Sequence, residues 1–511
     1  MALLRLPDEL LALIVSHAIP EGFESLCLAC RRLHTLCKPL IKQHNVLRSQ
    51  FRDFNYYEKV QDPSFTIRTS FELIARIAEE PVVARYIQHA DFEMDLRLPV
   101  GGRLWLMEDS GYRPDTVRDL FASSRYLSGA DWEGYFARYE RDLADNRYCQ
   151  ASAAFLLTLL PNVKSVVLPQ SWTCDEDTEK LLEAIVDHAR QSNTTSTNAS
   201  LSRLVSLKTS FSLVTQQGFV LNKITPLLAL PRIRSFHGPS SVSHIGARNS
   251  SSPYPSLPPS VGETLESAHL LSSNLDGPAM EHFLRCTPRL KTLVYSHSSK
   301  QFSAPWDICA LVTTIVKEAG SHLEELSITT RDFTGKIAFG TTTMRDFARL
   351  HKLEIPLDLA TCVLRSAAQL ETKESIGKDF VAGADQSHVN LLMCGLVPAS
   401  VTRLFLRSDE WKRRNDVHDA IGFMETDDGV SGFKGRPQEH ERTLETMFQG
   451  FAEKKDAQLP SLKEIRVSYP ATAGEVYKAR CKSLLPEAEK VGVAVHLDGG
   501  RYPDVLDFAG L

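Results

Sequence analysis

The 511-residue sequence contains no apolar run long enough to cross a membrane. Its longest apolar stretches, residues 151–160 and 391–401, fall well short of the roughly twenty residues that a membrane-spanning helix needs. Met1 to Leu4 resemble the start of a signal peptide, but Asp8 and Glu9 interrupt the stretch before an apolar core forms. The sequence therefore predicts neither a membrane span nor a secretory signal.

An excess of positive charge is also missing, since 58 basic residues face 63 acidic ones and the net charge is -5. Proteins that bind nucleic acid usually carry a basic excess or stripe, so we expect no nucleic-acid partner. The ten cysteines are scattered through amphipathic segments and do not frame a short, loop-rich domain. This distribution is typical of free thiols in a reducing compartment, and it predicts a cytoplasmic or nuclear protein.

Several enzyme motifs are absent from the sequence. It has no Gly-x-Ser-x-Gly nucleophile elbow, no Gly-x-x-x-x-Gly-Lys-Ser/Thr phosphate loop, no Gly-x-Gly-x-x-Gly after a strand and no His-Glu-x-x-His motif. A catalytic triad dispersed along the chain stays open, because its members need to meet only in the folded protein. We expect a protein that is not an enzyme and that holds no cofactor.

One cluster has the residue types of a metal site, since Cys27-x-x-Cys30 is followed by His34 and Cys37. If all four positions lie on one helix, they form a single apolar stripe. A helix face packed into a core then explains the four residues without a metal. We therefore favour the core face over a zinc site.

Residues 6–51 predict three short amphipathic helices. Pro7 suits a first helical turn, and Asp8 and Glu9 lie where the helix dipole favours negative charge. A second helix is predicted after Gly22 and a third is predicted to open at Pro39. Three such helices within about fifty residues bury too little surface to be stable alone, so the unit is expected to lean on a neighbour or a partner.

The residues of this unit resemble an F-box of the fungal type. The resemblance rests on Leu6-Pro7-Asp8-Glu9-Leu10-Leu11, on Ile14, and on Cys30-Arg31-Arg32-Leu33-His34 with Pro39-Leu40, although many F-boxes carry Trp where this chain has Leu33. It implies docking on the Skp-type adaptor of a cullin–RING ubiquitin ligase. The residues that it divides between docking and the unit's own core are Leu6, Pro7, Leu10, Leu11, Ile14, Leu26, Cys30 and Leu33. The alternative is a small helical cap without a partner.

A six-residue form, apolar-x-x-apolar-x-apolar, recurs along the rest of the chain. Copies begin at Val163, Ile233, Leu265, Leu290, Leu323, Leu350, Val401 and Leu462, with a blurred copy near Leu204. The starts from 233 to 350 are separated by 32, 25, 33 and 27 residues, enough for a short strand, a loop and a helix. This pattern resembles an irregular leucine-rich repeat array, in which parallel strands stack inside and helices pack outside. An ordinary α/β domain is the alternative.

Together these patterns predict an α/β fold with a defined division of the chain. Residues 1–50 form the F-box-like helical unit, 51–70 a connection, 71–497 the irregular repeat array, and 498–511 a tail. Inserted loops are expected at about 192–202, 235–260, 377–387 and 426–439, and the first two are rich in serine, asparagine or proline.

An F-box followed by degenerate leucine-rich repeats is a familiar family arrangement. The resemblance implies a substrate-recognition subunit of an SCF-type ubiquitin ligase, which binds the adaptor at one end and an unknown protein substrate through the array. Arginine and aromatic residues dominate interface energetics, so the predicted substrate-binding residues are Arg403, Phe405, Arg407 and Trp411. A solvated sheet face is the alternative for these positions. A repeat scaffold with no role in ubiquitination is the alternative for the protein.

Overall fold

The structure is a computed structural model of the chain. It describes residues 3–56, 67–95, 113–127, 132–145, 147–192, 199–209, 219–220, 224–238, 241–242, 261–298, 306–330, 337–338, 340–364, 395–408, 436–469 and 475–499. The chain divides into two compact units. The first comprises Met1–Phe211 and Lys223–Phe236, and the second comprises Ser212–Asn222 and His237–Leu511.

The first unit opens with a helical segment, residues 3–51, that we call the N-terminal module. A 3-10 turn at Leu3–Arg5 precedes the helices α1 (Asp8–His17), α2 (Phe23–Ala29) and α3 (Arg31–Phe51). The prediction that a third helix opens at Pro39 is wrong. Cys30 is extended, with φ -164° and ψ 165°, so it ends α2 and lets α3 begin eight residues earlier. Pro39 removes one hydrogen bond inside α3, and burial of one helix face, at Leu33, Cys37, Leu47 and Phe51, offsets that loss.

The strands of the first unit are short and parallel. They lie in the order β1 (Asp53–Asn55), β2 (His89–Asp91), β3 (Ser165–Leu168), β4 (Ser206–Thr209) and then β6 (Ser235–His237), which begins in this unit. The helices between them are α4 (Ser70–Glu79), α5 (Val82–Tyr86), α6 (Pro114–Ala122), α7 (Trp132–Ala144), α8 (Gln150–Leu157), α9 (Glu176–Ser192) and α10 (Thr225–Leu228). The strand β1 lies inside the stretch that the sequence predicts as a connection.

The second unit repeats the same arrangement with longer strands. Its parallel strands lie in the order β8 (Ser267–Ser273), β9 (Thr292–His297), β10 (Glu325–Thr330), β11 (Lys352–Pro356), β12 (Arg403–Arg407), β13 (Glu464–Tyr469) and β14 (Ala494–Gly499). A separate parallel pair joins β5 (Phe219–Val220) to β7 (Ser241–Val242). The helices are α11 (Gly277–Arg285), α12 (Ile308–Ala319), residues 357–364, Arg436–Phe448, Phe451–Gln458 and Glu475–Glu489.

The six-residue copies determine how neighbouring strands align. The second apolar residue of each copy stands opposite the second apolar residue of the next, in the series Ala268, Leu293, Leu326, Leu353, Leu404 and Ile465, and Val495 of the last strand stands opposite Ile465. The first apolar residues of the copies, among them Leu290, Leu323 and Leu350, are fully buried. The prediction of an α/β fold with parallel strands built from repeated strand and helix segments is confirmed.

Several predicted segments can be compared with the described residues. Apolar residues at helical spacing predict helices at 176–190, 279–285, 308–319 and 473–490, and these are present as α9, α11, α12 and Glu475–Glu489. A helix predicted by the same spacing at 359–370 is described as far as residue 364. The predicted loop 235–260 includes β6 and β7. The predicted loop 377–387, residues 426–435 of the last one and the tail beyond residue 499 lie outside the described residues.

Candidate protein-binding surfaces

The N-terminal module has a small apolar core of its own. Leu11, Val15, Phe23, Leu33 and Cys37 are buried in one cluster. Around it pack partly buried side chains that include four of the predicted adaptor-binding residues, Leu6, Ile14, Leu26 and Cys30. Six of the eight predicted residues therefore belong to the packing of the module itself, and only Pro7 and Leu10 are exposed.

The module also exposes apolar side chains that its core does not use. Leu10 is 46% exposed and Leu13, one helical turn later on α1, is 54% exposed. Leu28, at the end of α2, is 85% exposed. Among the described residues, six of the eight large hydrophobic side chains that are exposed belong to this module: Leu3, Leu4, Leu10, Leu13, Leu28 and Val46. Scattered exposed leucines are ordinary, but this concentration within one small module marks it as a candidate interaction surface.

Arg32, which belongs to the motif quoted above but not to the predicted adaptor-binding set, holds the start of the module in place. Arg32, in the first turn of α3, donates to the Asp8 carboxylate at 2.8 Å and to the backbone carbonyls of Leu4 at 2.5 Å and Leu6 at 2.9 Å. Charge-assisted hydrogen bonds of this kind are among the stronger ones in proteins. They fix the segment that carries the exposed Leu3 and Leu4 against α1 and α3.

The opposite end of α3 attaches the module to the first strands and helices of its own unit. A hydrogen bond of 2.8 Å joins His44 Nδ1 to the hydroxyl of Tyr86, which ends α5. Both rings are buried, and burial lowers the pKa of His44, so its neutral form is favoured. The contact therefore joins two uncharged groups, in keeping with its burial.

A second attachment involves charge. The guanidinium of Arg85 donates to the carboxylate of Glu21, and Asn162 Nδ2 donates to Glu21 Oε1 at 2.5 Å. Burial by itself would raise the pKa of Glu21, but the hydrogen bonds from Arg85 and Asn162 outweigh it and hold that pKa below its ordinary value. Glu21 thus stays ionised and binds two separate segments of the unit.

The cysteines of the module lie in or against its core. Burial and a contact with Cys27 raise the pKa of the Cys37 thiol to about 12, which disfavours the thiolate that a metal would bind. Cys27 and Cys30 pack beside it against the same apolar cluster. Within the described part of the chain, no group of three or more histidine, cysteine or acidic residues could hold a metal ion.

The second candidate surface is the sheet face of the second unit that carries the predicted substrate-binding residues. Arg403 is exposed, Phe405 is half-buried, and Arg407 is largely buried in an ion pair with Glu354. Trp411 lies outside the described residues. Glu354 is only 3% exposed and also accepts a hydrogen bond from Ser327 on β10. The side chain of Arg407 is therefore part of a buried ion pair. The accessible side chains of this face are those of Arg403 and of residues on β13 and β14.

On β12 to β14, the carboxylate of Glu464 lies close to three basic side chains from adjacent strands. We call Glu464, these three side chains (Arg403, Arg466 and His496) and the neighbouring Phe405 the Glu464 cluster. Arg466 Nε donates to Glu464 Oε1 at 2.6 Å, Arg403 Nε lies 3.7 Å from Oε2, and His496 Nε2 lies 3.8 Å from Oε1. The Arg466 guanidinium lies over the ring of Phe405, 5.5 Å from its centre, at a distance suited to a cation–π contact. Of these five residues, the sequence predicted Arg403 and Phe405 as substrate-binding.

A serine, a histidine and an aspartate form a hydrogen-bonded chain beside the end of β12. The Ser408 hydroxyl lies 3.0 Å from His440 Nδ1, and His440 Nε2 lies 3.4 Å from Asp358 Oδ1. In a Ser-His-Asp catalytic triad the serine bonds Nε2 and the aspartate bonds Nδ1, the reverse of this arrangement. All three side chains are buried. The chain is best explained as a polar link between the sheet and two helices.

A buried carboxylate lies at the start of α4 in the first unit. Asp95 Oδ1 accepts a hydrogen bond from the backbone N–H of Ser70 at 3.1 Å, and the Ser152 hydroxyl donates to Ser70 Oγ at 2.7 Å. No donor among the described residues reaches Asp95 Oδ2. Burial, with a smaller contribution from the negative charge of Glu72, raises the pKa of Asp95 to about 7. This group therefore titrates near neutral pH.

Compared with known proteins, the chain matches no protein-family model and no curated protein sequence. Among its described helices, none is both long and apolar enough to span a membrane.

Proposed function

We propose that this chain is a substrate-recognition subunit of an SCF-type cullin–RING ubiquitin ligase. In this proposal the N-terminal module is a fungal-type F-box that binds the Skp-type adaptor, and an irregular leucine-rich repeat array binds a protein substrate. The chain would form no bond itself and would contribute proximity and orientation. The observation that carries the proposal is the concentration of exposed leucines on a module whose sequence resembles an adaptor-binding motif.

The packing of α1 supports a docking role over a cap role. A cap that covers the end of a repeat array would turn the leucines of its first helix toward the array. Instead, Leu11 enters the module's own core, whereas Leu10 and Leu13 are exposed on the same helix. Leu10 and Leu13 are each about half exposed, so burying the rest of both side chains at an interface is worth about 1 kcal/mol each, enough together to change an affinity more than tenfold.

The test is a pull-down of the purified full chain with the Skp-type adaptor. The informative variant is Leu10→Asp/Leu13→Asp, because both side chains are exposed and the substitutions leave the core intact. Leu11→Asp is unsuitable, since it places a charge in the core and would unfold the module. The matched control is Val205→Asp, an exposed apolar residue outside the module. We expect the double variant to lose at least tenfold in affinity and the control to bind like the native chain.

A second candidate function is a non-catalytic leucine-rich repeat scaffold with no role in ubiquitination. The attachment of the N-terminal module favours it, because the His44–Tyr86 hydrogen bond and the Glu21–Arg85 ion pair join the module to the last two residues of the helix α5. The same pull-down separates the two. A folded native chain that does not bind the adaptor would overturn the ligase proposal in favour of the scaffold.

A further inference from the structure

The sheet face at β12 to β14 exposes two guanidinium groups that share one carboxylate. Arg403, Arg466 and His496 have side chains that are 59%, 44% and 54% exposed, whereas the carboxylate of Glu464 that they share is 20% exposed. Two guanidinium groups, which stay charged at all physiological pH values, thus face a single carboxylate. Arg403, Arg466 and Glu464 together have a net charge of +1, and Asp498, beyond His496 on the same face of β14, adds a carboxylate outside the cluster.

The neighbouring strands do not share this arrangement. On β10 and β11, Lys352 lies 3.6 Å from Glu325 and Glu354 is paired with Arg407, so each charge has an opposite partner. Ion pairs thus balance the charges of β10 and β11, whereas in the Glu464 cluster, which spans three strands, two guanidinium groups share one carboxylate. Neighbouring strands are about 4.8 Å apart, so the cluster is about as wide as three residues of an extended peptide.

The contacts within the cluster leave N–H donors of both guanidinium groups available to a second carboxylate. Glu464 accepts a hydrogen bond from Arg466, but Arg403 approaches it only at an ion-pair distance of 3.7 Å. Each guanidinium has five N–H donors in a planar fork that matches a carboxylate. The ring of Phe405 is half-buried, lies against the guanidinium of Arg466, and adds an apolar surface beside the charges.

We propose that the Glu464 cluster binds an acidic segment of a protein partner, with Arg403 and Arg466 pairing with carboxylates of that segment. This inference rests on the proposed function, since the partner would be the protein substrate. It replaces Arg407 of the predicted substrate-binding set with Arg466 and His496. A long polyanion such as a nucleic acid fits less well, because it would extend beyond the cluster over a chain whose net charge is -5.

The test uses the full chain and a fluorescent peptide of ten glutamates, with binding followed by fluorescence anisotropy at low salt. We expect saturable binding that weakens as salt is added, because accessible charges are screened. Arg403→Glu/Arg466→Glu is expected to weaken binding at least tenfold. The matched control is Arg285→Glu/Lys317→Glu, which makes the same change in net charge on α11 and α12, where both side chains are also exposed.

A second variant separates binding from an effect on folding. Glu464→Gln removes the competing carboxylate, so it is expected to tighten binding of the glutamate peptide about threefold. If Glu464 only holds the sheet together, the same change weakens binding or leaves it unaltered. The proposal is overturned if the native chain does not bind the peptide, if the two charge-reversal variants lose affinity equally, or if a ten-nucleotide single-stranded DNA binds more tightly.

The outcome is distinguishable from that of the adaptor experiment. Arg403→Glu/Arg466→Glu should bind the Skp-type adaptor like the native chain, and Leu10→Asp/Leu13→Asp should bind the glutamate peptide like the native chain. Peptide binding without adaptor binding would support the acidic-partner surface and assign it to a scaffold.

Discussion

Replacement of Asp95 by asparagine should make the first unit more stable, and increasingly so as the pH rises. The carboxyl of Asp95 is buried, and its pKa rises from 3.8 to about 7 on folding. The folded state therefore keeps its proton at pH values where the unfolded chain has released it. Below about pH 4, Asp95 is protonated in both the folded and the unfolded state, so it does not reduce the free energy of unfolding. As the pH rises from there through about 7, the free energy of unfolding falls. Asparagine is neutral at every pH, so it avoids that loss.

The size of the effect follows from the two pKa values. One pKa unit corresponds to 1.36 kcal/mol, so the rise to about 7 represents about 4 kcal/mol in total. Between pH 5 and pH 8, the difference in the free energy of unfolding between the variant and the native chain should grow by about 3 kcal/mol. Asparagine retains an oxygen that can accept the hydrogen bond from the N–H of Ser70, so the change removes charge and not the contact.

Hydrogen exchange followed by mass spectrometry is the suitable assay, because a chain with two compact units does not have a single well-defined unfolding transition. Comparing both proteins at each pH cancels the pH dependence of the intrinsic exchange rate. Amides of β2 and α4 should gain about a hundredfold in relative protection between pH 5 and pH 8. Asp53→Asn, at an exposed carboxylate on β1, is the control and should show no such gain. If the difference in protection between Asp95→Asn and the native chain stayed constant with pH, the reasoning would be refuted.

Two further predictions concern the second unit. Leu404→Ala removes a fully buried side chain from the aligned apolar series and should cost about 2 to 5 kcal/mol, measured from the hydrogen exchange of amides in β12 and β13; a loss below about 1 kcal/mol would contradict the assigned register. Ser408→Ala should destabilise by about 1 to 3 kcal/mol, because it leaves the buried His440 without its hydroxyl partner. A fluorophosphonate probe should not label Ser408 in the native chain, and labelling that His440→Ala abolishes would instead indicate a catalytic serine.

The strand pattern was predictable from sequence because it depends on residues close together in the chain. In a copy such as Leu323, Leu326 and Ile328, the three apolar positions lie within six residues, and burial of the same positions in the next copy fixes the register. The helices between copies were predictable for the same reason. The strand β1 was missed since its three residues, with Phe54 alone buried, are too few to show alternation.

The candidate surfaces were less predictable because they depend on contacts between distant residues. Helical spacing indicates that Leu10, Leu11 and Ile14 lie near one face, but it does not reveal that the core takes Leu11 and leaves Leu10 exposed. The contact of Glu21 with Arg85 spans 64 residues and has no local signal. Burial of Arg407 against Glu354 depends likewise on strands separated by about fifty residues.

The alignment of the copies has a consequence for how such a chain can change in length. Each strand takes its register from the strand beside it, so the segments between copies can differ in length without shifting any apolar position. A tandem duplication of one strand and its helix, for example residues 292–324, would therefore add a strand that can pair with both of its neighbours in the same register. Growth by whole copies preserves the core, whereas loss of one residue inside a strand would turn its apolar side chains to the wrong face.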